Sequence, residues 1–385
     1  GSSASPAGFR ERCSNSAGEL LDTGFAEVLA LIESDGRFGV CAARGFRLHP
    51  ACEPQSELLD YLETVFSGGR RDWRCVMNKR IGISYKEKNP ALVWLDDKVK
   101  QVAQTAAMLD GQERHLPIYA HASLGPSAPA ELEALREIVR GKVAAGQALV
   151  VKPRHGSNSR HVSVWQSPQE SDEAEIFACV EQAMDSWDRS WKKESWNQNA
   201  VPKGVLLQPM YASMRSFFPA GQSPDEGIAA AEYASPRLSK PLELKIQVLF
   251  GEVLGACLNT HPQFLWVSRE GAVHLWDQSH PGFLARHAGA KEPLHEIVVD
   301  VLRRELRDHW PSIRRDSEEL ARAIGLDELR VDWLLGDPRW GPRIGELTYM
   351  GTFALDVVPV SKGVARAYSA AHLARLGRPV RDGSF

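Results

Sequence analysis

The stretch Arg330-Val331-Asp332-Trp333-Leu334-Leu335-Gly336-Asp337-Pro338-Arg339-Trp340-Gly341-Pro342-Arg343-Ile344-Gly345-Glu346-Leu347-Thr348 decides the reading of this chain. Two β-rich runs flank a segment of Gly, Asp and Pro, which is the composition of a turn. Folded about Arg339, the hairpin sets Asp332 opposite Glu346 and Arg330 opposite Thr348. Side chains alternate across a sheet, so these four share one face, with Leu334 and Ile344 beside them. Directly opposed carboxylates repel unless a cation lies between them. Their hard oxygens suit Mg²⁺, which takes one or two carboxylates together with substrate phosphates. The Arg330 fork adds donors matched to phosphate oxygens. A solvated strand face with cross-strand ion pairs has the same pattern.

Working back along the chain, Val150-Val151-Lys152-Pro153 places a lysine at the end of a buried-type strand, where it is costly without an anion. The loop that follows, His155-Gly156-Ser157-Asn158-Ser159, offers backbone N–H groups, two hydroxyls and an amide that can fold over phosphates. It lacks the Gly-Lys-Ser/Thr of a Walker loop and is no Gly-x-Gly-x-x-Gly fingerprint. An ordinary turn also fits. His161–Trp165 closes a hairpin with residues 149–152. Further strands are expected at 205–207, 242–249 and 253–258, the last two as a hairpin around Gly251.

Apolar residues at helical spacing predict helices around 20–32 and 58–66, then at 98–110, 130–145, 173–191, 294–310, 317–324 and 361–376. Glycines at 111, 325 and 377 stop three of them. Trp187 and Trp191 fall on the apolar face of the 173–191 helix and read as core. Residues 212–240 are rich in Pro, Ser, Ala and Gly and read as a loop or lid.

The 385 residues allow two or three subdomains, and 43% hydrophobic with 25% charged residues is ordinary globular usage. That excludes a disordered, collagen-like or coiled-coil chain. A net charge of −3 gives no general attraction to nucleic acid or to an anionic membrane. No run of apolar residues is long enough to span a bilayer. The six cysteines show no Cys-x-x-Cys and no zinc spacing, and read as scattered thiols of a reducing compartment. A cytoplasmic location is therefore expected, with any native targeting segment unreadable from the start of the chain.

The order of these features resembles the ATP-grasp superfamily: a Lys-Pro strand with a Gly/Ser loop, a strand to a polar hinge, a strand with an interior lysine, then an Asp…Glu hairpin. Three segments resemble its TupA-like (teichuronopeptide-biosynthesis-like) branch over roughly residues 75–375. Asn78-Lys79-Arg80 through Lys88-Asn89-Pro90 to Leu95-Asp96-Asp97-Lys98 looks like the entry segment. Val150–Ser159 looks like the Lys-Pro-x-His-Gly-Ser loop. Arg330-Val331-Asp332 with Gly345-Glu346-Leu347-Thr348 looks like the closing motif.

This resemblance implies an α+β ATP-grasp fold in which two α+β subdomains clasp ATP. The expected division is a mainly helical N-terminal region at 1–105, a central subdomain with the phosphate-loop hairpin at 106–205, and a C-terminal subdomain with the metal hairpin at 206–385. It implies ATP and Mg²⁺ as cofactors, a small-molecule carboxylate and an amine-type acceptor as partners, and no nucleic acid or membrane. Lys98 and Lys152 would hold the phosphates, with Gly156, Ser157 and Asn158 capping them. Gln208, with the backbone around Pro209 and Met210, would meet adenine, and Glu243 or Lys245 would approach the ribose or terminal phosphate. Asp332, Glu346 and Thr348 would form the metal position, and Arg330 would steady the transferred phosphoryl group. Gln208 stands where many members have an acid, and Thr348 where many have an amide. The activity implied is an ATP-dependent carboxylate–amine or carboxylate–thiol ligase acting through an acyl phosphate. A kinase on the same fold and a non-catalytic nucleotide-binding protein are the alternatives.

Overall fold

Strands of the period-2 pattern gather into two antiparallel sheets. The computed structural model describes residues 90–157, 159–188, 200–213, 241–249, 251–258, 265–275, 293–326 and 328–349. The helices expected around 20–32, 58–66 and 361–376, residues 214–240 of the expected loop, and Asn158 lie outside these residues.

The smaller sheet contains β1 (Ala120–Ser123), β2 (Leu149–Pro153), β3 (Ser163–Trp165) and β4 (Gly204–Pro209), in the order β1-β4-β2-β3. Helices α2 (Ala128–Ala144) and α3 (Glu173–Asp185) cover one face. Leu135, Val139 and Val143 of α2 and Ile176, Val180 and Met184 of α3 recur at helical spacing and pack on Leu149, Val151, Val205 and Leu207. The expected boundary between residues 205 and 206 falls inside β4, whose residues 206–209 belong to this sheet. Gly204 admits no side chain here, because a Cβ would lie 2.4 Å from the Ala122 backbone oxygen.

The larger sheet contains β5 (Leu242–Leu249), β6 (Glu252–Leu258), β7 (Leu265–Ser268), β8 (Val273–Leu275), β9 (Glu328–Leu335) and β10 (Arg343–Thr348). Its order is β10-β9-β5-β6-β7-β8, with every neighbouring pair antiparallel. Helix α4 (Pro293–Ile324) lies across one face, where Leu302, Leu306, Ile313 and Leu320 meet Leu244, Ile246, Val331 and Trp333. Each such side chain contributes about 1.5–3 kcal/mol on burial. Trp333 satisfies its indole N–H on Ser317 Oγ at 2.9 Å. Helix α1 (Lys98–Met108) precedes both sheets, ending near Gly111, which has φ +81°. Segregated helices on antiparallel sheets make the chain α+β, as expected. Among the described residues, no helix is long and apolar enough to cross a membrane.

Three expectations are corrected. Residues 294–310 and 317–324 form one helix, α4, which runs through Pro311. The apolar stripe stays in phase on both sides of the exposed proline, with Leu306, Trp310, Ile313 and Leu320 all in the core, so burial outweighs the lost backbone bond. The second concerns α3, which stops at Asp185. Ser186 is extended at ψ 148°, and its carbonyl accepts from His155 Nε2 at 2.7 Å. Trp187 consequently leaves the helix and is 40% exposed rather than core, and Trp191 lies outside the described residues. Third, the β9–β10 register shifts between Ile344 and Glu346. Gly345 is the bulged residue, Ile344 pairs with Trp333, and its side chain joins the core instead of the carboxylate face.

Because Pro311 is exposed and interior to α4, its missing N–H is an uncompensated cost. Pro311→Ala is expected to raise unfolding stability by about 1–3 kcal/mol in a urea titration.

Candidate active site

One face of the larger sheet is apolar and covered by α4; the alternate residues make the other face. On β5 these are Glu243, Lys245 and Gln247, and on β9 they are Arg330, Asp332 and Leu334. The bulge preserves Asp332 opposite Glu346 and Arg330 opposite Thr348, as the sequence predicts. Lys245 sits opposite Asp332 on the other side. Catalytic-type side chains from three adjacent strands thus meet.

Asp332 has no solvent exposure and is held by two cations. Arg330 donates from Nε to Oδ1 at 2.7 Å and from Nη2 to Oδ2 at 2.9 Å, while Lys245 Nζ lies 3.3 Å from Oδ2. Arg330 Nη2 also donates to Thr348 Oγ1 at 3.1 Å. The fork expected to meet a phosphoryl group therefore orders a carboxylate, and the Thr348 hydroxyl is engaged as its acceptor. Glu243 Oε2 is 3.8 Å from Lys245 Nζ. Burial and the nearby Asp332 charge raise the Glu243 pKa, and Lys245 only partly opposes them. Burial would raise the Glu346 pKa too, but the charges of Lys98, Arg330, Lys245 and Lys152 overturn that and leave it lowered.

From the smaller sheet comes Lys152, on the face of β2 away from α2 and α3. No hydrogen bond or ion pair holds its ammonium among the described residues. Burial and then the neighbouring Lys98 charge bring its pKa down to about 8, against weaker support from Glu346 and Glu243. Lys98, at the first position of α1, lies 3.7 Å from Glu346 Oε1 and donates to the Gly156 carbonyl. Gly156 thus caps Lys98 with its oxygen, and its N–H turns back to Pro153 O at 3.4 Å. The Ser157 carbonyl accepts from the Arg160 N–H at 3.2 Å.

The residues expected at an adenine edge sit at the end of β4 with several groups already engaged. Gln208 donates from Nε2 to Leu116 O at 3.2 Å. Pro209 pairs with Leu149, and the Met210 carbonyl accepts from Arg339 Nη2 at 3.1 Å. Tyr211 donates to Gly341 O at 2.8 Å, and the Ala212 N–H reaches Asp337 Oδ2 at 2.8 Å. The tail of β4 is therefore tied to the β9–β10 turn.

Four cations, Lys98, Lys152, Lys245 and Arg330, surround three carboxylates, Glu243, Asp332 and Glu346. Carboxylate oxygens fit a hard cation in type, and the raised Glu243 pKa marks negative charge that a cation would relieve. Among the described residues no three His, Cys, Asp or Glu side chains converge as a preformed metal cage. A cation here would need further oxygens from a bound ligand. Lys152 in turn marks a place for an anion.

Sequence reading gave no role to four residues that the structure places around the site. Asp97 and Arg154 form a buried ion pair behind the lysines, with Oδ2 to Nη2 at 2.6 Å. An acid just before a helix is a capping signal that pointed to Asp97. Gln101 bonds the backbone of Leu347 from α1. Gln247 has no exposure, and neither Nε2 nor Oε1 has a partner among the described residues, although it shares the face of Lys245 and stands opposite Arg330. Alternation along β5 was the available signal.

Two stability changes follow from these strains. Lys152→Met is expected to raise apo stability by roughly 1–3 kcal/mol at pH 7. A lysine with a depressed folded pKa costs most below that pKa, so the gain should be full below about pH 8 and vanish towards pH 10.5 in melts across that range. Gln247→Met, which keeps the length and removes two unmet polar atoms, is expected to raise stability by about 1–3 kcal/mol in thermal unfolding.

No protein-family model matches the chain, and no curated protein matches it. Solved structures do. D-cycloserine synthetase DcsG is 18% identical with a TM-score of 0.37, over 74% of this chain and 72% of that one. Biotin carboxylase from Campylobacter jejuni is 14% identical with a TM-score of 0.37, over 72% of this chain. The chain spans about half of that enzyme, 47%. The ATP-grasp ligase PsnB, complexed with a precursor variant, Mg and ADP, is 12% identical with a TM-score of 0.33, over 85% of this chain and 76% of that one.

Proposed function

We propose that this chain is an ATP- and Mg²⁺-dependent ligase of the ATP-grasp kind, similar to the TupA-like branch, that joins a small-molecule carboxylate to an amine-type acceptor. The observation that carries this reading is the meeting of a lysine from the smaller sheet, without hydrogen bond or ion pair among the described residues, with a carboxylate–cation cluster from the larger one. Four cations against three carboxylates leave the site nearly balanced. A polyphosphate alone or a divalent cation alone would unbalance it, whereas the two together compensate each other.

Lys98 and Lys152 would hold the phosphates from the side of the Gly/Ser loop, and Gln208 with the chain around Pro209 and Met210 would border the base. Glu346 and Asp332 would hold Mg²⁺, with Glu243 beside them; the ion would neutralise charge on the phosphate oxygens. In the first step a substrate carboxylate oxygen bonds to the γ-phosphorus while the bond from phosphorus to the β–γ bridging oxygen breaks, releasing ADP. The acceptor nitrogen then bonds to the acyl carbon as the bond to the phosphate oxygen breaks, and the nitrogen loses a proton. Lys152 and Lys245 would stabilise charge gathering on the transferred group, with Arg330 ordering Asp332 beside them. Preorganised donors of this sort are worth about 2.7–4 kcal/mol each in a transition state.

Asp332→Asn and Glu346→Gln are each expected to lower ATP turnover at least a hundredfold and to abolish the Mg²⁺-dependent part of nucleotide stabilisation in thermal melts. Screening carboxylate–amine pairs should show phosphate release only when both substrates are present. Phosphate retained on a single acceptor would establish a kinase instead.

A further inference from the structure

The start of α1 touches both sheets through side chains that the ligase reading does not use. Asp97 is its N-cap, with Oδ1 accepting from the N–H groups of Val99 at 3.1 Å and Lys100 at 3.3 Å. The same carboxylate receives Arg154 Nε at 2.7 Å on Oδ1 and Nη2 at 2.6 Å on Oδ2. Arg154 follows directly on β2, two residues after Lys152, and opens the Gly/Ser loop. Its Nη1 donates to Ser123 Oγ at 2.6 Å, and its carbonyl accepts from the Lys98 N–H at 3.3 Å. One turn along α1, Gln101 donates to Leu347 O at 2.9 Å and accepts from the Leu347 N–H at 3.1 Å, as a neighbouring strand would on the edge of β10. Asp97 and Gln101 are both buried.

We propose that Asp97 and Gln101 are positioning residues, and that they make α1 a bracket between the Gly/Ser loop and β10 that sets Lys98 between Lys152 and Glu346. Lys98 and Lys152 carry like charges and repel, so without bound anion something must hold them together. The bidentate Asp97–Arg154 pair holds one side; removing one partner from a buried pair leaves an uncompensated charge and is strongly destabilising. The Gln101 amide holds the other side, because its loss strands two backbone groups of Leu347 in the interior. The spacing of one turn between the two grips puts Lys98 at the junction. As far as it concerns nucleotide affinity, the proposal rests on the ligase reading; as far as it concerns the placement of Lys98 beside Lys152, it does not.

The test therefore has a readout without nucleotide. The pH dependence of Lys152 acetylation by acetic anhydride, read by peptide mass spectrometry, reports its titration. In Lys98→Ala the midpoint should move upward from about 8, since the neighbouring charge is gone. Asp97→Asn, which keeps the capping oxygen, and Gln101→Met should each reproduce at least half of that movement and add nothing further in the Lys98→Ala background. Should Asp97→Asn prove unfolded, Asp97→Asn with Arg154→Gln removes the buried charge on both sides and replaces it in the comparison. Alongside, the KM for ATP should rise at least tenfold with kcat within threefold. An unmoved Lys152 midpoint in Lys98→Ala, or an unmoved midpoint in the bracket variants when Lys98→Ala does shift, overturns the proposal. Moved midpoints in the variants, together with a wild-type protein that neither binds nor hydrolyses ATP, would leave the bracket standing and remove the ligase reading.

Discussion

A carboxylate taken fully out of water must be met by positive charge or lose several kcal/mol, and Asp332 is met from two strands. Arg330 reaches it from two residues earlier on β9, and Lys245 from the facing position of β5. Neither contact survives a slip of register, because a shift of one residue would send Lys245 or Asp332 into the apolar face under α4. The ion pairs and the hydrophobic stripe of the same strands therefore demand one alignment. Gly345 lets β10 satisfy both demands: its bulge turns Ile344 into the core while Glu346 stays opposite Asp332.

The three carboxylates on that face are unevenly paired. Asp332 is fully paired, Glu243 lies 3.8 Å from one lysine, and Glu346 is reached only at 3.7 Å by Lys98 from another element. Asp332 thus has the closest ion pairs, the acids flanking it on β5 and β10 lie farther from their cations, and no ion pair holds Lys152 among the described residues.

Two links between the sheets frame this region. One is the beginning of α1. The other is the tail of β4, where Tyr211 and Ala212 bond to the β9–β10 turn and Arg339 reaches back to the Met210 carbonyl. His115 adds a third contact nearby: it pairs with Ile344, and burial together with the Lys152 charge lowers its pKa to about 3, so it is neutral. A neutral imidazole bonded to Thr105 Oγ1 adds no further positive charge beside the lysines.

Local pattern alone determined much of this protein. Alternation, turn residues and stop glycines placed the strands at 149–152, 242–249, 253–258, 329–335 and 343–348, and folding the hairpin about Arg339 set Asp332 opposite Glu346, a pairing that the Gly345 bulge restores. Lys152 at a strand end and Lys98 at a helix start were also readable, because both positions are defined by nearest neighbours. What only the tertiary structure decided is which of these groups have partners. The Arg330 fork was assigned to a ligand, yet Asp332 and Thr348 hold it, because residues of adjacent strands meet before any ligand does. Asp97 and Arg154 are 57 positions apart, and Gln101 and Leu347 are 246 apart. No periodicity spans such separations; these contacts exist only once both sheets are packed. The continuity of α4 through Pro311 and the exposure of Trp187 have the same cause, since burial against a distant sheet, or its absence, overrode the local signal.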